Sequence, residues 1–281
     1  MRRSGEPNEK YPHNPARRHF MHVASAAAAV FALPTHSIAG NGKGNQSQNG
    51  NGKGKGNGGP ACFLRGTRIL TDAGYINIED LSIGDCTITL EGVAAKVKWI
   101  GRRTFTRGNT NSWPDAVHPI RVARSALEDN VPHADLYLSP GHSLLIDGNL
   151  IPVMHLVNGA SIARAIPCGL TDIEYFQIEL ATHEAIYAEG VPVETFLPTE
   201  GREVFSNFAE YARLYGTEER GTLSRYAPLL HHAGGRYHLK ALLRSGLSCV
   251  VDVRDPLQIA YERIAFRARS VDIPMPLATA A

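Results

Sequence analysis

Cysteine is scarce in this chain of 281 residues: only Cys62, Cys86, Cys168 and Cys249 occur. None sits at the C-x-x-C spacing of a zinc site and four are too few for a disulfide scaffold, so no structural metal and no cofactor are expected. Net charge is nearly absent as well. The formal balance is +2 at pH 7, with several of the cations in the N-terminal leader and linker, which leaves no electrostatic case for nucleic acid as a partner. Long hydrophobic runs are missing too. The Ala-rich stretch from Val23 to Leu33 is too brief for a stable membrane span. No recognisable triad or metal motif supports a hydrolase acting on external substrates. The rest is ordinary globular composition, 43% hydrophobic and 20% charged, enough for one sizeable core plus an appendage.

What is present begins with a leader. Arg17-Arg18-His19-Phe20-Met21 ahead of the Val23–Leu33 run resembles a twin-arginine export signal, although Ala16 and His22 depart from the usual flanking residues. Ser37-Ile38-Ala39 offers small residues where a signal peptidase reads, so residues 1–39 are read as an export signal cleaved before Gly40. The expected location is outside the bacterial cytoplasm, periplasmic or extracellular; the competing readings are an uncleaved leader or a start codon placed too early. Residues 40–60 are almost entirely Gly, Asn, Lys, Gln and Ser. With no residue able to anchor a core they read as a flexible linker or displayed tail, and the absence of aromatics argues against a nucleic-acid arm.

From Arg68 to Leu197 short apolar runs alternate with turn signals. Ile76 and Ile78 alternate with polar residues, Thr87–Leu90 stops at Glu91-Gly92, and Val93–Ile100 alternates again, which predicts a largely β domain. Asp147-Gly148-Asn149 between apolar runs is a hairpin signal. Phe176-Ile178-Leu180 and Ala185-Ile186-Tyr187 read as a strand pair with His183-Glu184 turning between them. Beyond Pro198 the pattern changes. Residues Ser206–Gly216 predict a short helix ended by a glycine, and Gly235–Val253 suggests a second helix followed by a strand at Cys249–Val253. Residues 199–281 are therefore a small α/β C-terminal appendage, with no motif to assign its role.

Cys62 is the most informative residue. It follows the Gly/Asn/Lys tract and opens Cys62-Phe63-Leu64-Arg65-Gly66-Thr67-Arg68-Ile69, where a thiol at a domain boundary can attack the preceding carbonyl, here that of Ala61. Further on stand Gly74-Tyr75-Ile76-Asn77-Ile78-Glu79-Asp80-Leu81-Ser82-Ile83-Gly84-Asp85, then Leu138-Ser139-Pro140-Gly141-His142-Ser143-Leu144, then Tyr175 to His183 and Gly190 to Thr195. In this order the motifs resemble the hedgehog/intein (Hint) superfamily, and with Trp99-Ile100-Gly101-Arg102-Arg103 and Leu156-Val157-Asn158-Gly159 added the resemblance is most to the bacterial Hint-domain proteins, over residues 61–198. The resemblance implies a mainly β fold, a Hint-type pseudo-two-fold β horseshoe that brings the first cysteine beside the last strands.

It also implies roles. Amide-to-thioester conversion is uphill, and it needs a thiolate, a proton donor to the leaving nitrogen and a polarised carbonyl. Cys62 is the expected nucleophile; the alternatives are a small buried apolar residue or a lipidated cysteine, though Gly59-Pro60-Ala61 lacks a lipoprotein signal's apolar run. His142 is the expected proton donor. Ser139 would orient it or bond the scissile peptide, or else Ser139-Pro140-Gly141 is an ordinary turn. His183 matches a later histidine of the family, while Gln177 stands where many inteins have Asp. Inteins end in His-Asn, but Glu194-Thr195 occupy that place, and Gly101 stands where hedgehog domains have the Asp that activates sterol. The expected activity is thus cleavage of the chain's own Ala61–Cys62 bond by an N–S acyl shift, without full splicing or sterol transfer. The substrate is its own N-terminal segment and the acceptor is water or an unknown nucleophile. The alternative is a catalytically silent secreted β domain for binding or display.

Overall fold

The computed structural model describes residues 61–107, 113–198, 201–216, 223–230 and 255–270. The export signal and linker read at 1–60 and the helix and strand expected at 235–253 lie outside the described residues.

The alternating segments build two antiparallel sheets. The first is six-stranded, in the order β11 (Ile162–Arg164), β7 (Ile120–Val122), β8 (Leu136–Leu138), β1 (Phe63–Leu64), β12 (Asp172–Glu179), β6 (Trp99–Thr106). The second is eight-stranded and runs β10 (Asn149–Pro152), β9 (Ser143–Ile146), β14 (Val191–Glu194), β13 (Ala185–Ala188), β2 (Arg68–Thr71), β4 (Cys86–Ile88), β5 (Ala94–Lys96), with β3 (Gly74–Asn77) also paired to β2. The main core is aliphatic. It gathers Phe63, Ile69, Ile100, Leu138, Leu144, Phe176, Ile178 and Val193 among others, all at most 4% exposed, each such side chain worth roughly 1.5–3 kcal/mol on burial. The mainly β architecture is therefore the one expected.

The hairpin at Asp147-Gly148 forms as its turn chemistry requires: both residues have positive φ, 49° and 74°, and Asn149 pairs with Ile146 across it. The strand pair expected around His183 does not form. β12 bonds to β6 and β1, whereas β13 bonds to β14 and β2, so the chain passes from one sheet to the other between Leu180 and Ala185. Two adjacent apolar runs signal a hairpin only when one turn joins partners, and β12 is satisfied on both edges by other strands.

The helix expected after Pro198 is present as α1, Phe208–Tyr215, with Gly216 at its C-cap at φ 74°. Its N-cap is Asn207, whose side chain accepts the Arg102 amide hydrogen at 2.8 Å and thereby ties the helix to β6. A second aromatic core forms beneath it. Phe205 and Tyr211 meet Trp99 edge-to-face at centroid distances of 5.4 and 5.2 Å, a favoured geometry. Below these rings the buried Glu179 carboxylate takes two hydrogen bonds from Arg202, at 2.7 and 2.8 Å, with Lys98 Nζ at 3.1 Å.

One helix went unread in the sequence. α2, Pro256–Ser270, buries Leu257, Ala260 and Ile264 against the main core, and Asp255 Oδ1 accepts the Leu257 amide hydrogen at 3.0 Å. The signals were there: Asp-Pro at a helix start and apolar residues at helical spacing. Among the described residues no helix is long and apolar enough to cross a membrane.

Candidate functional site

β1 is two residues long but central, bonded to β8 on one side and β12 on the other. That position carries the start of the domain into the interior, where Cys62 is 1% exposed. Ser139, immediately after β8, clamps the junction from both atoms of its backbone-and-hydroxyl pair. Its Oγ accepts the Cys62 amide hydrogen at 2.7 Å and its own amide donates to the Cys62 carbonyl at 2.9 Å. The nitrogen so held belongs to the Ala61–Cys62 peptide bond.

The Ser139-Pro140-Gly141-His142 segment is also a true turn, closed by the His142 amide donating to the Ser139 carbonyl at 3.0 Å. Turn and site coincide. The turn delivers a fully buried imidazole that packs edge-on against the Phe63 ring at 4.4 Å. Its Nε2 lies 3.1 Å from the Glu194 carbonyl, and a carbonyl can only accept, so Nε2 carries the hydrogen and Nδ1 the lone pair in the neutral ring. Nδ1 has no hydrogen-bond partner among the described residues. Burial pushes the His142 pKa down, while the Glu194 carboxylate and the backbones of Cys62 and Glu194 pull it partly back up.

Glu194, which stands with Thr195 where inteins have His-Asn, organises the neighbouring polar groups. Its Oε1 accepts the Ser143 amide hydrogen at 2.8 Å, and His183 Nε2 faces its Oε2 at 3.7 Å, beyond hydrogen-bond length. Burial works to raise the Glu194 carboxyl, but His183, His142 and Ser143 outweigh it and hold it below the ordinary carboxylate value. His183 accepts the Tyr226 amide hydrogen at Nδ1, at 2.9 Å, which leaves its Nε2 as the protonated nitrogen facing Glu194. The structure thus gathers Cys62, Ser139 and His142 at one junction and relates His183 to them only through Glu194. Tyr226 comes from the appendage, and no sequence signal pointed to it.

Beside the junction lies a pocket of about 170 Å³, lined by Cys62, Arg103, Phe105, Ala116, Val117, Ser139 and Tyr175. Its rim is exposed at Ala116, and its floor is formed by the buried Cys62, Ser139 and Tyr175. Tyr175 donates its hydroxyl to the Val117 carbonyl at 2.8 Å, and burial, with Cys62 nearby, pushes its phenol far up, so it stays neutral. Gln177 does not line this pocket. Its Oε1 takes the Ile178 amide hydrogen at 3.1 Å and its buried Nε2 has no partner among the described residues. Gly101, across from Gln177 in the β6–β12 ladder, has the Phe205 ring 2.7 Å from where a Cβ would stand. Any side chain at position 101 would meet that ring. Among the described residues no three or more His, Cys, Asp or Glu side chains converge as a metal site.

Compared with known proteins, residues 61–200 match the family model of the Hint domain. Solved structures that resemble the chain include the gp41-1 intein, 14% identical over 47% of this chain and 97% of that one, with a TM-score of 0.34. The DnaB intein from Synechocystis sp. is 13% identical over 48% of this chain and 99% of that one, TM-score 0.32. A bacterial intein-like domain from Clostridium thermocellum is 14% identical over 48% and 98%, TM-score 0.33. No curated protein matches the chain.

Proposed function

Residues 61–200 are a Hint domain, so the chain belongs to that family, and from this premise we propose that it cleaves its own Ala61–Cys62 bond through a thioester. In the first step the Cys62 thiolate attacks the Ala61 carbonyl carbon, the C–N bond breaks, and the nitrogen leaves with a proton as the α-amine of Cys62. Water or another nucleophile then attacks the thioester carbonyl, the C–S bond breaks, and the Cys62 thiolate is regenerated.

The observation that carries this reading is the clamp on the scissile nitrogen by Ser139, 2.7 Å from the Cys62 amide, with His142 beside it. Alternation along β1 directs the Cys62 and Phe63 side chains to opposite faces, and His142 packs with Phe63. The imidazole is thus suited to the departing nitrogen rather than to the thiol. Its depressed pKa makes the charged ring scarce at neutral pH but a stronger acid once formed, and Nδ1 is the nitrogen left to deliver the proton. His183 and Glu194 support this chemistry by holding the carbonyl that orients His142.

The departures from the splicing and sterol reactions shape the rest of the proposal. Thr195, in the place of the intein Asn, has no side-chain amide to cyclise and its hydroxyl is bonded to the Glu184 backbone at 2.9 and 3.1 Å, so the chain is proposed to remain continuous from Val193 through Phe196. The Phe205 ring over Gly101 leaves no room for a sterol-activating acid.

Intact mass of the purified full chain, with and without dithiothreitol, tests this. The expected result is thiol-dependent release of the segment ending at Ala61, abolished in Cys62→Ala and slowed roughly a hundredfold or more in His142→Ala, with no product joining residues before Cys62 to residues after Thr195. A wild-type mass unchanged by thiol overturns the reading and leaves a silent domain for binding or display.

A further inference from the structure

The pocket beside Cys62 has a composition that a water-only reaction does not need. Hydrolysis requires access for one water, whereas the pocket that Cys62 lines holds about 170 Å³; an apolar cavity of about 150 Å³ accommodates a benzene ring. One wall is apolar, made by Phe105, Val117 and the ring of Tyr175. The other feature is a cation. The Arg103 guanidinium lies over the Phe105 ring at 4.6 Å, and among the described residues no carboxylate is within ion-pair distance of it. Cation–π stacking holds the guanidinium plane while leaving its edge N–H donors available. Elsewhere in this fold arginines facing the interior are answered by carboxylates, as Arg202 is by Glu179 and Arg121 by Asp135. Arg103 is the one that faces the nucleophile's pocket.

We propose that this pocket binds the acceptor of the acyl group and that the acceptor is a small anionic nucleophile, a thiol or amine carrying a carboxylate or sulfonate held by Arg103. This deepens the self-cleavage reading and rests on it. The acceptor's anionic group pairs with the guanidinium and its short apolar body lies against Phe105 and Val117. Its nucleophilic atom attacks the Ala61 thioester carbonyl, the C–S bond breaks, and the electron pair returns to Cys62 Sγ. The N-terminal segment leaves bonded to the acceptor, as a thioester or an amide, and the acceptor's proton passes to the regenerated thiolate or to solvent. No electrons are exchanged with an oxidant or reductant.

The test uses the full chain and three thiols of similar size: 2-mercaptoethanesulfonate, 2-mercaptoethanol and 2-mercaptoethylamine, each at the same thiolate concentration. Cleavage at Ala61–Cys62 is followed by intact mass for wild type and Arg103→Gln, and the quantity read is the ratio of the sulfonate-driven to the neutral-driven rate. That ratio is expected to fall about tenfold or more in Arg103→Gln, as for loss of a charge-assisted bond, and to be largely restored in Arg103→Lys. The amine is expected to be the slowest of the three on wild type. If Arg103→Gln does not fold, salt dependence on wild type decides: raising ionic strength from about 0.05 to 0.5 M should slow the sulfonate reaction and spare the neutral one. Equal rates for all three thiols on wild type, or a ratio insensitive to both Arg103→Gln and salt, overturns this inference alone. Absence of cleavage with every thiol overturns the thioester reading itself.

Discussion

His142 shows at the scale of one residue how a site is paid for in stability. Burial depresses its pKa below the ordinary 6.5, whereas in the unfolded chain the ring takes its proton at the ordinary value. Between those two values the unfolded state holds more protons than the folded one, so stability is full above about pH 6.5 and declines as pH falls toward the depressed value. His133, lowered first by burial, adds a loss of the same sign. Glu194, held below 4.5, adds a further loss when acid finally protonates it. The urea midpoint is expected to be flat above about pH 7 and to drop between about pH 6.5 and 5, with a shallower drop in His142→Gln. A wild-type midpoint that does not move across that interval contradicts the burial assigned to this ring.

At the scale of elements, the contact of β6 with the appendage hangs on one missing side chain. Phe205 can reach Trp99 because Gly101 has no Cβ, the ring lying 2.7 Å from where one would be. Such an approach makes overpacking the dominant effect of any substitution there. Gly101→Ala is expected to destabilise by about 1–3 kcal/mol, measured by urea unfolding, and combining it with Phe205→Leu should recover part of that loss because the two share one space. Strict additivity of the two substitutions would show that the cost of Gly101→Ala does not come from the Phe205 ring. The buried Glu179–Arg202 pair anchors the same face, so the appendage is joined to the β domain by ring packing and charge together.

For the whole molecule, the proposed export route determines when Cys62 can react. A twin-arginine pathway carries folded protein, so the domain would fold in a reducing cytoplasm where Cys62 remains a thiol, and rearrangement could precede export. Replacing Arg17 and Arg18 together by Lys is expected to retain the protein in the cytoplasm without preventing folding. Cell fractionation that finds the doubly substituted protein outside the cytoplasm would favour the general secretory pathway instead.

Much of this protein is written locally. The hairpin at Asp147-Gly148 follows from two residues that tolerate positive φ, α1 ends where Gly216 permits, and Cys62, Ser139 and His142 were recognisable because their motifs are short and contiguous. A local pattern carries no information about which strand bonds to which, so β12 and β13 looked like a hairpin and lie in different sheets. The same limit hid Glu194 as the link between His142 and His183, since 52 residues separate it from His142. It also hid the pocket, whose walls come from five separate stretches of chain. Sequence determined the chemistry available at the junction, because a thiol, a hydroxyl and an imidazole are properties of single residues. Only the tertiary structure decided their company, because burial, tautomer and a guanidinium stacked on a ring beside the pocket depend on neighbours that the chain brings together by folding.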